Sequence, residues 1–289
     1  MSRRPLLVAG LVAAASLGLL VLAVAGGWLG PDVDRGAGFC EAAAGTLRQP
    51  VNTLSNLGFV VAGLVIAARA ARPGGLGTST MAGRPELATA YACLVVLLGP
   101  GSMAMHATES AAGGQLDMLS MYLVAAFASS YAAMRRFERG PLFLGLAFVG
   151  VVVACELVGT YSRPIPVVEF SGNVAFGVFL VVAVVLERQL ATRSGTRLDL
   201  RWLGAAVGSL ALAFAVWNTA KTGSPLCWPH SVYQGHGVWH VLCAVSAYCL
   251  FRLYVSEQPA DLAARRSPPS GPPAGSARAA PPRTRGARP

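Results

Sequence analysis

The chain has 289 residues, of which 12% are Asp, Glu, Lys or Arg and 54% are apolar. Soluble domains carry about 25% charged residues, so this chain has too little charge to cover a water-facing globule. The formal net charge of +10 does not mark a nucleic-acid binder, because the basic residues lie in loops and a tail without a fold or aromatic pattern to organise them; topogenic signalling and attraction to anionic lipid account for them.

A hydrocarbon core of ~30 Å takes ~20 mostly apolar residues per helical span. Eight such stretches are expected, the first five running from about Leu6 to Trp28, Val51 to Ala68, Glu86 to Met105, Leu116 to Met134 and Leu142 to Val158. The last three run from about Val167 to Leu186, Leu203 to Thr219 and Gly235 to Leu253. Each is flanked by Arg, Pro, Gly or polar residues, as span ends should be. The first has the basic start and small-residue exit of a signal peptide, but its apolar run is longer than a signal core. Residues 1–29 are therefore expected to be a retained transmembrane helix or signal anchor. Residues 30–256 form the main helical unit, and 257–289, rich in Pro, Ala, Ser, Gly and Arg, read as a disordered cytoplasmic tail. The expected fold is all-α, a polytopic membrane helical bundle with no internal repeat.

Basic residues gather in cytoplasmic loops. With the N-terminus inside, the cytoplasmic side holds Arg3, Arg4, Arg69, Arg72, Arg84, Arg135, Arg136, Arg139, Arg188, Arg193, Arg197, Arg201, Arg252 and the tail arginines. The outer side holds only Arg35, Arg48, Arg163 and Lys221, a split of 19 to 4. Both termini are thus expected in the cytoplasm.

Ionisable groups at membrane depth are expensive and mark functional sites. Of the four histidines, His106 closes the third stretch, while His236 and His240 open the eighth. The charge pattern places all three near the outer face. His236 and His240 stand i, i+4 and project from one helix face. An HxxxH pair alone is a weak signal, but a third histidine at the same depth makes the three-histidine set typical of catalytic zinc. Ser102 shares a helix face with His106, and Asp117 opens the next stretch. Their plainer roles are helix packing for Ser102 and a favourable N-terminal acid for Asp117. His230, after Pro229 in a polar loop, reads as solvent-facing.

Cys93, Cys155, Cys243 and Cys249 lie inside apolar stretches and read as buried small hydrophobes. Cys40 and Cys227 fall in the two longest outer loops, where an oxidising compartment favours a disulfide between them.

These residues resemble a family. Phe39, Cys40 and Glu41, then Asn52, Thr53, Leu54, Ser55 and Asn56, are similar to the Trp-Cys-Glu and Asn-Thr-x-Ser-Asn segments of the alkaline ceramidases. Gly101 and Ser102 before His106, Gln115-Leu116-Asp117, Trp217-Asn218 and His236-x-x-Trp239-His240 follow in family order, covering about Phe39 to Leu253. The resemblance implies a seven-helix core from Val51, with the first stretch as an extra N-terminal helix. It also implies zinc on His106, His236 and His240, Ser102 and Asp117 beside the reacting water, and the Cys40–Cys227 bond. The family's calcium region is not carried over. Gly38 and Ala43 stand at two of its ligand positions and Gln49 near a third, leaving Glu41 alone for a cation that takes about six to eight oxygens.

The expected activity is zinc-dependent hydrolysis of the N-acyl bond of ceramide or a related lipid drawn from the bilayer. Asp117 serves as general base and Ser102 as oxyanion donor. High Ala, Gly and Arg content with one lysine suggests a GC-rich bacterial genome and hence a bacterial plasma membrane. One rival is a receptor or lipid-remodelling protein of the wider superfamily with a zinc site but different or no hydrolysis. Another is a transporter, which would need polar groups at mid-depth.

Overall fold

The structure is a computed structural model describing residues 3–161, 164–193 and 195–259. The tail arginines and Arg163 of the charge argument lie outside those residues, as does the tail from residue 260 on.

Ten helices occur among the described residues, in chain order α1 (Arg4–Ala25), α2 (Pro50–Ser55), α3 (Leu57–Ala70), α4 (Thr80–Gly83), α5 (Pro85–Thr108), α6 (Ala111–Arg136), α7 (Pro141–Thr160), α8 (Ser171–Ala191), α9 (Leu200–Thr219) and α10 (Gly235–Val255). Four of them, α1, α2, α5 and α7, carry Pro in the first turn, where the missing N–H has no helical acceptor to lose. Ser110 caps α6 by accepting from Gly113 N at 3.0 Å. Counting α2 and α3 together, eight helices among the described residues are long and apolar enough to cross a membrane. This is the expected all-α polytopic bundle.

Three spans differ most from the sequence reading. The fourth begins at Ala111 rather than Leu116, so Asp117 lies inside α6 instead of opening it. The second span is interrupted at Asn56, whose Nδ2 donates to Asn52 O at 2.9 Å. That side chain occupies a carbonyl the helix would use and tightens the backbone locally. The sixth span begins at Ser171 rather than near Val167. Residues Pro164–Ile165 (β1) and Glu169–Phe170 (β2) pair antiparallel instead, since Pro164 and Pro166 lack the N–H groups a helix start would need further in.

The bundle is apolar on its outer faces, and its interior combines apolar packing with buried polar groups gathered at the histidine end. Helices α5 and α6 are the most buried and α7 the least. Leu142, Leu146, Val149 and Val153 form an exposed apolar face of α7, as a lipid-facing helix requires. Helix α1 packs on the outside of α3 and α5. Gly63 and Gly99 allow α3 to approach α5 closely: a Cβ at Gly63 would stand 2.7 Å from Ala92 O, and one at Gly99 would stand 3.0 Å from Asn56 O. An aromatic core of Tyr91, Phe127, Tyr131, Phe251 and Tyr254 fills one end of the bundle. The histidines lie at the other. Cys155 and Cys249 are buried as expected, whereas Cys93 and Cys243 are only half-buried.

Candidate metal centre

His106 stands in the last turn of α5, which ends where Glu109 takes a left-handed conformation (φ 50°) and its N–H bonds Met105 O. His236 and His240 occupy the first two turns of α10. All three side chains are buried, with 0%, 4% and 2% exposure. One ring nitrogen from each lies within 4.8 Å of the other two, and no other such group of His, Cys, Asp or Glu occurs among the described residues. His106 Nε2 and His236 Nε2 are 3.1 Å apart.

The surrounding bonds fix two of the three tautomers. Gln49 Oε1 accepts from Asn52 Nδ2 at 3.0 Å, so the atom facing His106 Nδ1 at 2.8 Å is an acceptor. His106 therefore carries its proton on Nδ1 and keeps a lone pair on Nε2. Ser55 Oγ donates its one proton to Asn52 O at 2.9 Å. It must then accept from His240 Nδ1 at 2.8 Å, which frees Nε2 of His240 in the same way. His236 Nδ1 is buried with no hydrogen-bond partner.

This donor set fits zinc. Two nitrogens each ~2.0–2.1 Å from a tetrahedral zinc stand about 3.3 Å apart, close to the 3.1 Å between His106 and His236. Neutral imidazoles whose second nitrogen is held by a neighbouring oxygen are the usual zinc ligands. The free Nε2 lone pairs of His106 and His240 in this buried site are donors that a cation would take up.

Gln49 continues outward. Its Nε2 donates to Glu109 Oε1 at 2.7 Å and Gly36 O at 2.9 Å, and Arg48 bridges Glu109 (3.3 Å) and Asp32 (2.9 Å). The loop after α1 is thus pinned to the end of α5. Glu41 pins it again: its two oxygens accept Val51 N and Asn52 N at 2.7 and 2.8 Å, placing a carboxylate at the positive end of α2. Phe39 stacks on His236 with ring centroids 3.6 Å apart. The next residue, Cys40, is disulfide-bonded to Cys227 with the Cα atoms 5.3 Å apart.

Ser102 is buried one turn before His106, and its hydroxyl lies close enough to the Asp117 carboxylate to interact with it across the α5–α6 contact. Gly101 permits that contact, because a Cβ there would stand 2.6 Å from Ser120 Cβ. Arg35 lies close enough to act on Asp117 electrostatically. Beside Asp117, between α6, α7 and α8, a cavity of about 260 Å³ is lined by Arg35, Gln115, Tyr122, Glu156 and Phe170 among others. Glu156 bonds Gln115 through one oxygen and leaves the other buried without a partner. His230 is exposed in its loop.

The sequence reading assigned no role to Gln49, Asn52 or Ser55 as ring-orienting groups, nor to Phe39 or Arg35. The Asn52–Asn56 segment was conspicuous, but nothing in it named its histidine partners.

Among curated proteins no sequence matches the chain. The family model described as Ceramidase matches residues 42–259, a stretch that takes in Gln49, Ser55, Ser102, Asp117 and all three histidines and leaves α1 outside. With that match over most of its length, laid on a buried three-histidine centre in a polytopic bundle, the chain belongs to the ceramidase family.

Proposed function

We propose that this protein hydrolyses the N-acyl amide bond of ceramide or a closely related membrane lipid, with zinc held by His106, His236 and His240. The observation that carries this reading is the convergence of three buried imidazoles, two with their proton fixed on Nδ1, beside the Ser102–Asp117 pair. When bound, zinc supplies Lewis acidity, bringing the pKa of a coordinated water towards ~7 and polarising a carbonyl.

The chain's own residues do the rest. Asp117 takes a proton from the attacking water as its oxygen bonds the acyl carbon. It returns that proton to the amide nitrogen as the C–N bond breaks, so that a fatty acid and an amine leave. Ser102 donates a hydrogen bond to the acyl oxygen as charge develops there, worth about 3 kcal/mol when preorganised. Phe39 and the Cys40–Cys227 bond hold the loop over His236 and limit water. The polar cavity beside Asp117 receives the lipid's hydroxyl-bearing head, with Glu156 and Gln115 as acceptors, while the acyl chain lies among apolar side chains.

The hydrolase unit is residues 30–256, α1 within 1–29 is a membrane anchor, and 257–289 is a cytoplasmic tail. The Lys and Arg distribution supports cytoplasmic termini and a zinc centre near the outer face of the membrane, and the Ala, Gly and Arg content supports a bacterial plasma membrane.

The test is fatty-acid release from ceramide by the purified protein in detergent, beside Asp117→Ala. Release by the parent and a loss of at least about a hundredfold in the variant is expected. Equal release from both would remove Asp117 from the chemistry, and zinc binding without release would favour a sensing or remodelling role.

A further inference from the structure

The end of the bundle away from the histidines holds a second buried cluster that hydrolysis does not use. Arg135, in the last turn of α6, has a side chain only 3% exposed. It pairs with Glu187 of α8 and, at 3.7 Å, with Glu257 just past α10. Its guanidinium carbon lies 4.3 Å from the Tyr131 ring centroid and 5.3 Å from that of Tyr254. Even so, Nε and Nη1 of Arg135 have no hydrogen-bond partner.

Arg135 borders a cavity of about 450 Å³ that is also lined by Arg84, Arg139, Arg193, Glu138 and Glu257. Both carboxylates are already engaged. Glu138 accepts from Arg193 at 2.6 Å, and Glu257 accepts Thr80 N at 2.9 Å besides facing Arg135. Arg84 and Arg139 take part in no ion pair among the described residues. With Glu187 behind Arg135 counted, four guanidiniums at the cavity stand against three carboxylates, all of them already engaged, and Arg84 and Arg139 are left over. A purely structural lock explains Arg135 with Glu187, but neither the idle donors nor the open volume beside them.

We infer that this cavity binds a phosphate group, with Arg84, Arg135 and Arg139 as donors. Guanidinium forks match the paired oxygens of a phosphate and bind it more strongly than neutral donors do. The cavity lies at the level where α5 begins and α6, α8 and α10 end, which is the headgroup level for helices of spanning length. The phosphate in the membrane is therefore that of an anionic lipid. Arginine pockets at helix ends recognise such headgroups by the same chemistry.

The test uses the purified full chain in detergent and follows its thermal unfolding midpoint. Three probes are titrated: a short-chain phosphatidic acid, the diacylglycerol with the same chains, and inorganic phosphate. Binding to the folded state raises the midpoint. Saturable stabilisation by phosphatidic acid and none by the diacylglycerol is expected. Arg84→Gln with Arg139→Gln, both exposed in the parent, should raise the lipid concentration required by about tenfold or more. Arg72→Gln with Arg188→Gln, exposed positions outside the cavity, should leave the titration unchanged. Equal stabilisation by inorganic phosphate would keep the site and name free phosphate as its ligand. No stabilisation by either phosphate probe, or equal weakening by the two double variants, would overturn the proposal.

Discussion

Gln49 Oε1 lies 2.8 Å from His106 Nδ1, joining residues 57 positions apart and setting which ring nitrogen of His106 faces the other two histidines. Gln49 is itself fixed from three sides by Asn52, Gly36 and Glu109. The geometry of the three-histidine cluster therefore depends on the loop after α1 as much as on α5 and α10.

Gln49→Ala removes the acceptor that holds the His106 ring. Orienting partners of this kind are worth about 10–100-fold in metal affinity, and a zinc competition titration should read a loss in that range. Ser55→Ala should act in the same direction through His240, and the two effects should add poorly because Asn52 bonds both partners.

Glu41→Ala should destabilise the protein by about 1.5–3 kcal/mol, since it strips a charged acceptor from two backbone N–H groups at the start of α2. A lower unfolding midpoint in detergent checks this. Glu41→Gln, which keeps one acceptor oxygen, should fall between the two.

Gly101→Ala should lower kcat without removing zinc. The new Cβ would meet Ser120 Cβ at 2.6 Å and Leu116 O at 3.1 Å, pushing α5 from α6 and parting Ser102 from Asp117. Ser120→Gly added to it should restore part of the rate, as expected if steric separation is the cause.

Glu156→Leu should raise KM for a hydroxyl-bearing lipid amide by about tenfold and change kcat less, because binding lost equally from ground and transition states appears in KM. A fall in kcat with KM unchanged would place Glu156 in the chemical step.

Reducing the Cys40–Cys227 bond, or Cys40→Ser with Cys227→Ser, should lower stability by about 2–5 kcal/mol. The bond closes a loop of 187 residues and borders the Phe39 ring on His236, so turnover should fall with it.

The spans were legible because a bilayer imposes length and hydropathy on each helix, and the three histidines because ionisable residues are rare at that depth. The break at Asn56 was hidden, since one side-chain bond to Asn52 leaves hydropathy unchanged. Val167 to Phe170 read as helix because they are largely apolar, while Pro164 and Pro166 fold them into a hairpin. Gln49 and Ser55 were invisible as ring-orienting groups for a different reason. Ser55 lies 185 residues from His240, and only the packing of α2 against α10 brings them together. Glu41 stood out for its place in the motif, yet its use as a helix cap depends on how the loop turns back.

The central claim is that the three-histidine centre holds the zinc on which lipid-amide hydrolysis depends. Its most direct test removes metal from the purified protein with a chelator and follows zinc content and fatty-acid release from ceramide together as zinc is returned. We predict release that is lost with the metal and regained at one zinc per chain, with His236→Ala regaining neither. Release that persists after the zinc has gone would contradict the account.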